Sequence, residues 1–108
     1  MDKGEIWLAN LPQWTGREQL GTRPVLIIAD SKIGMIIIIP LTSNLSSLRY
    51  PHTTGIKPSK QNWLDKESAA LIFQIKSIDE KRMIHKIGML EDYYLNKIEG
   101  ILKELIRL

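Results

Sequence analysis

Two apolar, β-branched runs separated by only a few residues are the feature that most limits the possible fold. Val25–Ala29 follows Pro24, and Met35–Ile39 follows Gly34 and is followed by Pro40. Short runs of this composition between turn formers predict buried strands. We expect Pro40 to end the second strand, because proline cannot donate to a sheet ladder. The short connection favours an antiparallel pair.

Shorter signals on both sides of this pair predict the rest of a sheet. Pro12–Thr22 reads as an exposed loop, residues 41–66 read as a long working loop, and Asp79–Arg82 reads as a turn. Apolar or alternating runs predict further strands at Glu5–Ala9, Thr53–Lys57, Ser68–Phe73 continuing through Ile78, and Met83–Ile87.

After Gly88 the apolar spacing changes to that of a helix. The pattern predicts a C-terminal helix over Glu91–Arg107, with acids in its first turn and bases near its end. Gly100 interrupts it, either to permit close packing or because it is tolerated. One face of this helix is apolar and should pack on the sheet: Leu90, Tyr94, Ile98, Ile101, Leu102 and Leu105.

Strands, a loop, more strands and a final helix predict an antiparallel sheet or small barrel with one packed helix. The 108 residues fit a single domain spanning 1–108. With no cysteine and only His52 and His85, we expect neither a metal site nor a cofactor. The sequence shows no apolar run of membrane-spanning length and no secretory signal, which predicts a cytoplasmic protein without membrane contact.

Charge is concentrated in the middle third of the chain. The net charge is only +3, but residues 31–66 hold five basic side chains against one acidic one. Tyr50, His52 and Trp63 lie in the same stretch, and cations interleaved with rings suit single-stranded nucleic acid. A solvated loop with one or two anchoring aromatics is the alternative. Trp63 is interpreted as such an anchor, with stacking on RNA as its other possible role.

Two polar residues lie at the ends of the strongly apolar strands. Arg23 precedes the first and Thr42 follows the second, so an antiparallel pairing brings them to one rim of the sheet. A guanidinium beside a hydroxyl suits a phosphate, because arginine binds phosphate oxygens bidentately and keeps its charge. Spacing alone equally allows an ordinary salt bridge from Arg23 to Glu18 or Glu5.

Four segments closely resemble the MazF/PemK family of toxin endoribonucleases: Gly4–Trp7, Gly16–Ile28, Pro40–Ser43 and Gln74–Asp79. The resemblance covers nearly the whole chain in family order. It implies an SH3-like antiparallel barrel of the PemK/CcdB type, mainly β with a C-terminal helix, assembled as a homodimer. It also implies metal-independent cleavage of single-stranded mRNA at short motifs, leaving a cyclic phosphate and a 5′-hydroxyl.

By this resemblance Arg23 and Thr42 match the family's catalytic arginine and threonine. The residues predicted to bind RNA are Arg17, Glu18, Gln19, Ser43, Asn44 and Gln74. Arg17 departs from the family pattern, in which many relatives carry serine, and adds a positive charge beside the RNA path. Candidates for proton transfer are Glu18, Gln19, His52 and solvent. Phe73 stands where many relatives carry an acid. The resemblance further implies a small antitoxin partner with a disordered acidic tail.

Two other functions remain open from the sequence. A non-catalytic poison of the CcdB kind uses a tryptophan near its C-terminus, whereas this chain ends Glu104–Leu108 without one. An SH3-like nucleic-acid-binding module would not require the Arg23 and Thr42 pair. Trp7 and Trp14 are interpreted as core or interface residues, and His85 is expected to pack at a strand edge.

Overall fold

The computed structural model describes residues 1–12 and 21–107. Three short 3-10 helices occur at Leu45–Arg49, Ile72–Gln74 and Glu80–Arg82. The strands are β1 (Glu5–Leu11), β2 (Gly21–Asp30), β3 (Met35–Thr42), β4 (Thr53–Ile56), β5 (Ser68–Leu71), β6 (Lys76–Asp79) and β7 (Met83–Met89), and one α-helix, α1 (Asp92–Ile106), follows them. The predicted strands and helix are thus all present, with shifted ends.

The strands form an antiparallel sheet in the order β4-β5-β3-β2-β1-β7, and β6 also pairs with β3. The predicted antiparallel pairing of β2 and β3 is confirmed. The prediction that Pro40 ends β3 is wrong, because β3 continues to Thr42. Pro40 lies between the part of β3 that pairs with β6 and the part that pairs with β5, where the ladder changes partner. A missing backbone donor is least costly at such a position.

The predicted continuous strand from Ser68 to Ile78 is also wrong in its middle. β5 and β6 run along the same partner strand, β3, but Ile72–Gln74 coils into a 3-10 helix between them. These residues act as an insertion in the ladder, as a bulge does on a smaller scale. The alternation in the sequence therefore identified both paired segments and missed the interruption.

The larger apolar core lies between one face of the sheet and α1. Ile6, Leu26, Ile39 and Leu41 form its sheet side, and Ile98 of the helix is fully buried against them. All six residues of the predicted helix face belong to this cluster, so that prediction is confirmed. Each fully buried Leu or Ile contributes about 1.5–3 kcal/mol relative to an exposed one.

The other face of β1–β3 supports a second, smaller cluster. It contains Ala9, Val25, Ile27, Ile36 and Ile38, with Trp7 packed at its margin. Because alternate residues of a strand point to opposite faces, burial on both faces explains why β2 and β3 are continuously apolar. The predicted core position of Trp7 is thus a half-buried one, and its indole Nε1 donates to the Glu5 carboxylate at 2.8 Å.

Gly100 lies on the outer side of α1. A Cβ added there would meet nothing within 4 Å, so close packing is not its role. Of the helices in the described ranges, none is long and apolar enough to cross a membrane.

Candidate active site

The antiparallel pairing of β2 and β3 places Arg23 and Thr42 at the same end of the two strands. The paired register ends at Val25 and Pro40, and Arg23 and Thr42 each lie two residues beyond that last pair. Arg23 pairs with Ala9 of β1 on its other side, and Thr42 pairs with Ala69 of β5. Because antiparallel strands bring the start of one beside the end of the other, the two side chains belong to one rim of the sheet, as the sequence predicted.

Thr42 is held by the turn that follows it. Its side chain is 4% exposed, and its Oγ1 accepts a hydrogen bond from the backbone N–H of Asn44 at 3.2 Å. The hydroxyl is therefore fixed relative to the turn that leads into the next segment. Ser43, between them, is exposed.

Asn44 has a structural task at this turn. Its Oδ1 accepts from the backbone N–H of Ser46 at 3.2 Å and from the Ser46 hydroxyl at 2.6 Å, so it caps the 3-10 helix Leu45–Arg49. Asn is a favoured capping residue because its side-chain oxygen replaces a missing backbone acceptor. The predicted RNA contact of Asn44 would have to use its amide nitrogen.

Arg23 lines a cavity of about 630 Å³, here called the Arg23 cavity. Its floor is partly apolar, and three cations border it, Arg23, Lys66 and Lys86, against one acid, Asp65. The remaining lining residues come from five strands, the turn after β3 and the loop before β5: Leu8, Thr22, Pro24, Leu41, Ser43, Trp63, Leu64, Ser68, His85 and Ile87. An anionic ligand with an apolar part fits such a surface.

Lys86 forms an ion pair with Glu5, at 3.7 Å between Nζ and Oε2. Burial raises the pKa of the Glu5 carboxyl, but the hydrogen bond from Trp7, a backbone hydrogen bond at Asp2 and the charge of Lys86 together bring the pKa below its ordinary value. Glu5 is thus ionised at neutral pH and holds Lys86 beside the cavity.

Gln74 lies in a second cavity of about 740 Å³, here called the Gln74 cavity. Tyr50 and Phe73 meet edge to face across it with ring centroids 6.1 Å apart, and Arg49 lies 5.1 Å from the centre of the Tyr50 ring. His52 lines the same cavity. The predicted site residues are thus divided: Arg23 and Ser43 border one cavity, and Gln74 borders the other with His52.

Two expectations about aromatic residues need correction. Trp63 is not an anchor, because its side chain is 69% exposed; its neighbours Asn62 and Leu64 are buried and hold the loop. His85 lies on the edge strand β7, as expected, but its ring is exposed instead of packed. Sequence reasoning missed its place beside Arg23 because that depends on the pairing of β7 with Leu8 of β1.

Arg17, Glu18 and Gln19, predicted to follow the RNA path, lie outside the described residues, as does Trp14. Within residues 1–12 and 21–107, no group of three or more acidic or histidine side chains is arranged to hold a metal ion. Arg23 and the exposed His85 border the Arg23 cavity, whereas Thr42 is buried and borders neither described cavity.

Comparisons with known proteins agree on one family. A curated relative, Endoribonuclease MazF of Staphylococcus saprophyticus, is 31% identical over 104 residues, covering 93% of this chain and 86% of the relative. The crystal structure of MazF (Form-I) from Deinococcus radiodurans superposes with a TM-score of 0.83 at 23% identity, covering 100% of this chain and 97% of that one. The fold class predicted from the sequence is confirmed by this superposition.

A MazE-MazF structure (Form-II) from Deinococcus radiodurans is also similar, with a TM-score of 0.74 at 21% identity and coverage of 100% of this chain and 96% of that one. The family model described as PemK-like, MazF-like toxin of type II toxin-antitoxin system matches residues 2–106. Sequence, register and these matches together place the chain in the PemK-like, MazF-like toxin family of type II toxin-antitoxin systems.

Proposed function

We propose that this protein is a toxin endoribonuclease that cleaves single-stranded mRNA at short motifs without a metal ion. Family membership and the curated endoribonuclease relative support the reaction class. The observation that carries the proposal for this chain is the antiparallel β2–β3 pairing, which places Arg23 and the hydrogen-bonded hydroxyl of Thr42 at the same end of the two strands.

The reaction uses the RNA's own 2′-hydroxyl as nucleophile. Its oxygen forms a bond to the adjacent phosphorus while the bond to the 5′-oxygen breaks, which leaves a 2′,3′-cyclic phosphate and a 5′-hydroxyl. One proton leaves the 2′-oxygen and one is delivered to the departing 5′-oxygen. Arg23 stabilises the additional negative charge of the phosphorane, and Thr42 donates a hydrogen bond to a non-bridging oxygen.

The group that transfers the protons is one of four candidates. The sequence offered Glu18, Gln19 and His52, and His85 joins them because its ring borders the cavity that Arg23 lines. Histidine both accepts and donates protons near neutral pH, which suits a reaction that needs both steps. By the family resemblance, Arg17, Ser43, Asn44 and Gln74 contribute contacts to the RNA.

The partners follow from the same family. A second copy of the chain forms a homodimer, and a small antitoxin covers the RNA path with an acidic tail. A related structure described as a MazE-MazF complex supports the antitoxin, and the cations of the Arg23 cavity match an acidic segment.

The test is cleavage of a long single-stranded RNA by the purified protein in excess EDTA. We expect cuts at a short recurring motif with the wild type, and a loss of about 100- to 1,000-fold in rate for Arg23→Ala, as for removal of one group that stabilises a transition-state oxyanion. Thr42→Val, which keeps the side-chain shape and removes the hydroxyl, should lower the rate in the same direction.

Arg82→Ala is the matched control. Arg82 is half-buried, contacts the Asn10 carbonyl at 3.5 Å, and lines neither described cavity, so cutting should stay near the wild-type rate. Intact RNA with the wild type contradicts the proposal. RNA binding without cutting would favour the nucleic-acid-binding module instead.

A further inference from the structure

Trp63 combines a large exposed ring with an unusual backbone. It is 69% exposed and has φ of +57°, in the left-handed region that bulky residues rarely adopt. Exposing the apolar indole to water is unfavourable, and a positive φ is sterically unfavourable for tryptophan. A residue with both unfavourable features is a candidate for a functional role.

The surrounding loop holds Trp63 in this position. Asn62 is fully buried, and Leu64 is only 7% exposed. The Trp63 N–H donates to the Ser59 carbonyl at 3.0 Å. With both neighbours turned inward and its own amide bonded, Trp63 is left projecting from a fixed loop into the border of the Arg23 cavity.

The cavity beside this ring has the chemistry of a single-stranded nucleic-acid site. Lys66 follows Trp63 in the same loop, Lys86 lies on β7, and Arg23 reaches the cavity from β2. Cations hold phosphates while a flat ring stacks on an unpaired base, and stacking tolerates any base because each has a π-face. Arg23, which the proposed reaction uses to stabilise the phosphorane, lines the same cavity.

We propose that Trp63 stacks on the unpaired base of a nucleotide next to the cleaved bond, and that Lys66 and Lys86 hold the phosphate of that nucleotide. This inference rests on the proposed endoribonuclease function and adds an RNA-binding residue to it. Trp63 acts on the binding of RNA, because its ring meets a base that is not part of the reacting group.

The test compares Trp63→Ala and Trp63→Phe in steady-state cleavage of a short RNA containing the preferred motif. Trp63→Ala should raise KM about 10-fold or more with kcat little changed, since a stacked base contributes to binding. Trp63→Phe retains a smaller ring and should recover part of the loss. Tyr93→Ala is the matched control, because Tyr93 is 65% exposed, lies on α1, and does not line the Arg23 cavity.

A second measurement separates this inference from the cleavage proposal. Titration with a 2′-O-methyl RNA, which cannot be cut, should quench tryptophan fluorescence in the wild type and quench it less in Trp63→Phe. Quenching that depends on Trp63 supports the inference even if no RNA is cut. Equal KM and equal quenching in folded Trp63 variants would overturn it, and a loss restricted to binding of a protein partner would overturn it in favour of a protein contact.

Discussion

Two asparagines, Asn44 and Asn62, each hold a loop in shape with side-chain hydrogen bonds, but their contacts differ in range. Asn44 follows β3 and is exposed, and its side chain bonds to Ser46, two residues away. Asn62 precedes β5, is fully buried, and uses all four of its hydrogen-bonding positions. Its amide donates to the Lys57 carbonyl at 2.9 Å and the Glu91 carboxylate at 3.1 Å, and its oxygen accepts from the N–H groups of Ser59 and Leu64.

The difference lies in the range of the contacts. The Asn44 cap holds one turn together from within. The Asn62 contacts join a loop to the start of α1 through Glu91, and the neighbouring Gln61 carbonyl accepts from the Met89 N–H of β7. Loops held at several distant points keep their shape when one contact opens, whereas a locally capped turn opens alone. The loop that presents Trp63 is therefore the stiffer of the two.

Removing the Asn62 side chain should have the largest effect on stability, because it removes the contacts that distinguish this loop from the Asn44 turn. Asn62→Ala leaves buried backbone groups and the Glu91 carboxylate without their partner, so we expect a loss of about 3 kcal/mol in unfolding free energy. Thermal unfolding should show a Tm lower by about 10 °C or more. Asn96→Ala, at an exposed position of α1, is the control and should change stability little. A change in Tm as small as that of Asn96→Ala would mean that the Asn62 hydrogen bonds do not contribute to stability.

The close approach of β7 to the same loop gives the second prediction. A Cβ at Gly88 would overlap the backbone of Asn62 and the Gln61 carbonyl, so Gly88→Ala must displace the loop or the strand. We expect a loss of about 2 kcal/mol, within the usual range for overpacking. Urea unfolding of Gly88→Ala and Gly100→Ala provides the measurement.

Gly100→Ala is the matched control because its Cβ meets nothing and its helical position favours alanine. It should raise stability by up to about 1 kcal/mol. Equal effects of the two substitutions would show that the loop does not press on β7 as closely as the structure has it.

The regular elements could be predicted from the sequence, whereas the contacts of these two loops could not. The β-branched runs of β2 and β3 and the periodic face of α1 were predictable because periodicity records which side of an element is buried. Their antiparallel pairing predicts that Arg23 and Thr42 lie at one rim of the sheet. The role of each in catalysis came from family resemblance and stays a proposal.

Contacts between distant segments were beyond such reasoning. In the sequence Asn62 is one polar loop residue among several. No local pattern predicts its hydrogen bond to Glu91 or the close approach of Gly88 to its backbone. The position of Trp63 depends on the buried Asn62 beside it. An aromatic in a polar loop suggests an anchor, so the sequence wrongly predicts Trp63 as the residue that holds this loop. The same limit applies to His85, whose place beside Arg23 is set by the β1–β7 register.

The smallest expected effect concerns Asn44, where structure and binding can be separated. Asn44→Ala removes the cap and should cost about 1 kcal/mol in unfolding free energy. Asn44→Asp keeps an oxygen for Ser46 and removes the amide nitrogen, so stability should stay close to that of the wild type. If the nitrogen contacts RNA, Asn44→Asp raises KM for cleavage while Tm is unchanged. An unchanged KM in Asn44→Asp would show that Asn44 acts only as a helix cap. The turn after Thr42 would then serve only to fix the threonine hydroxyl.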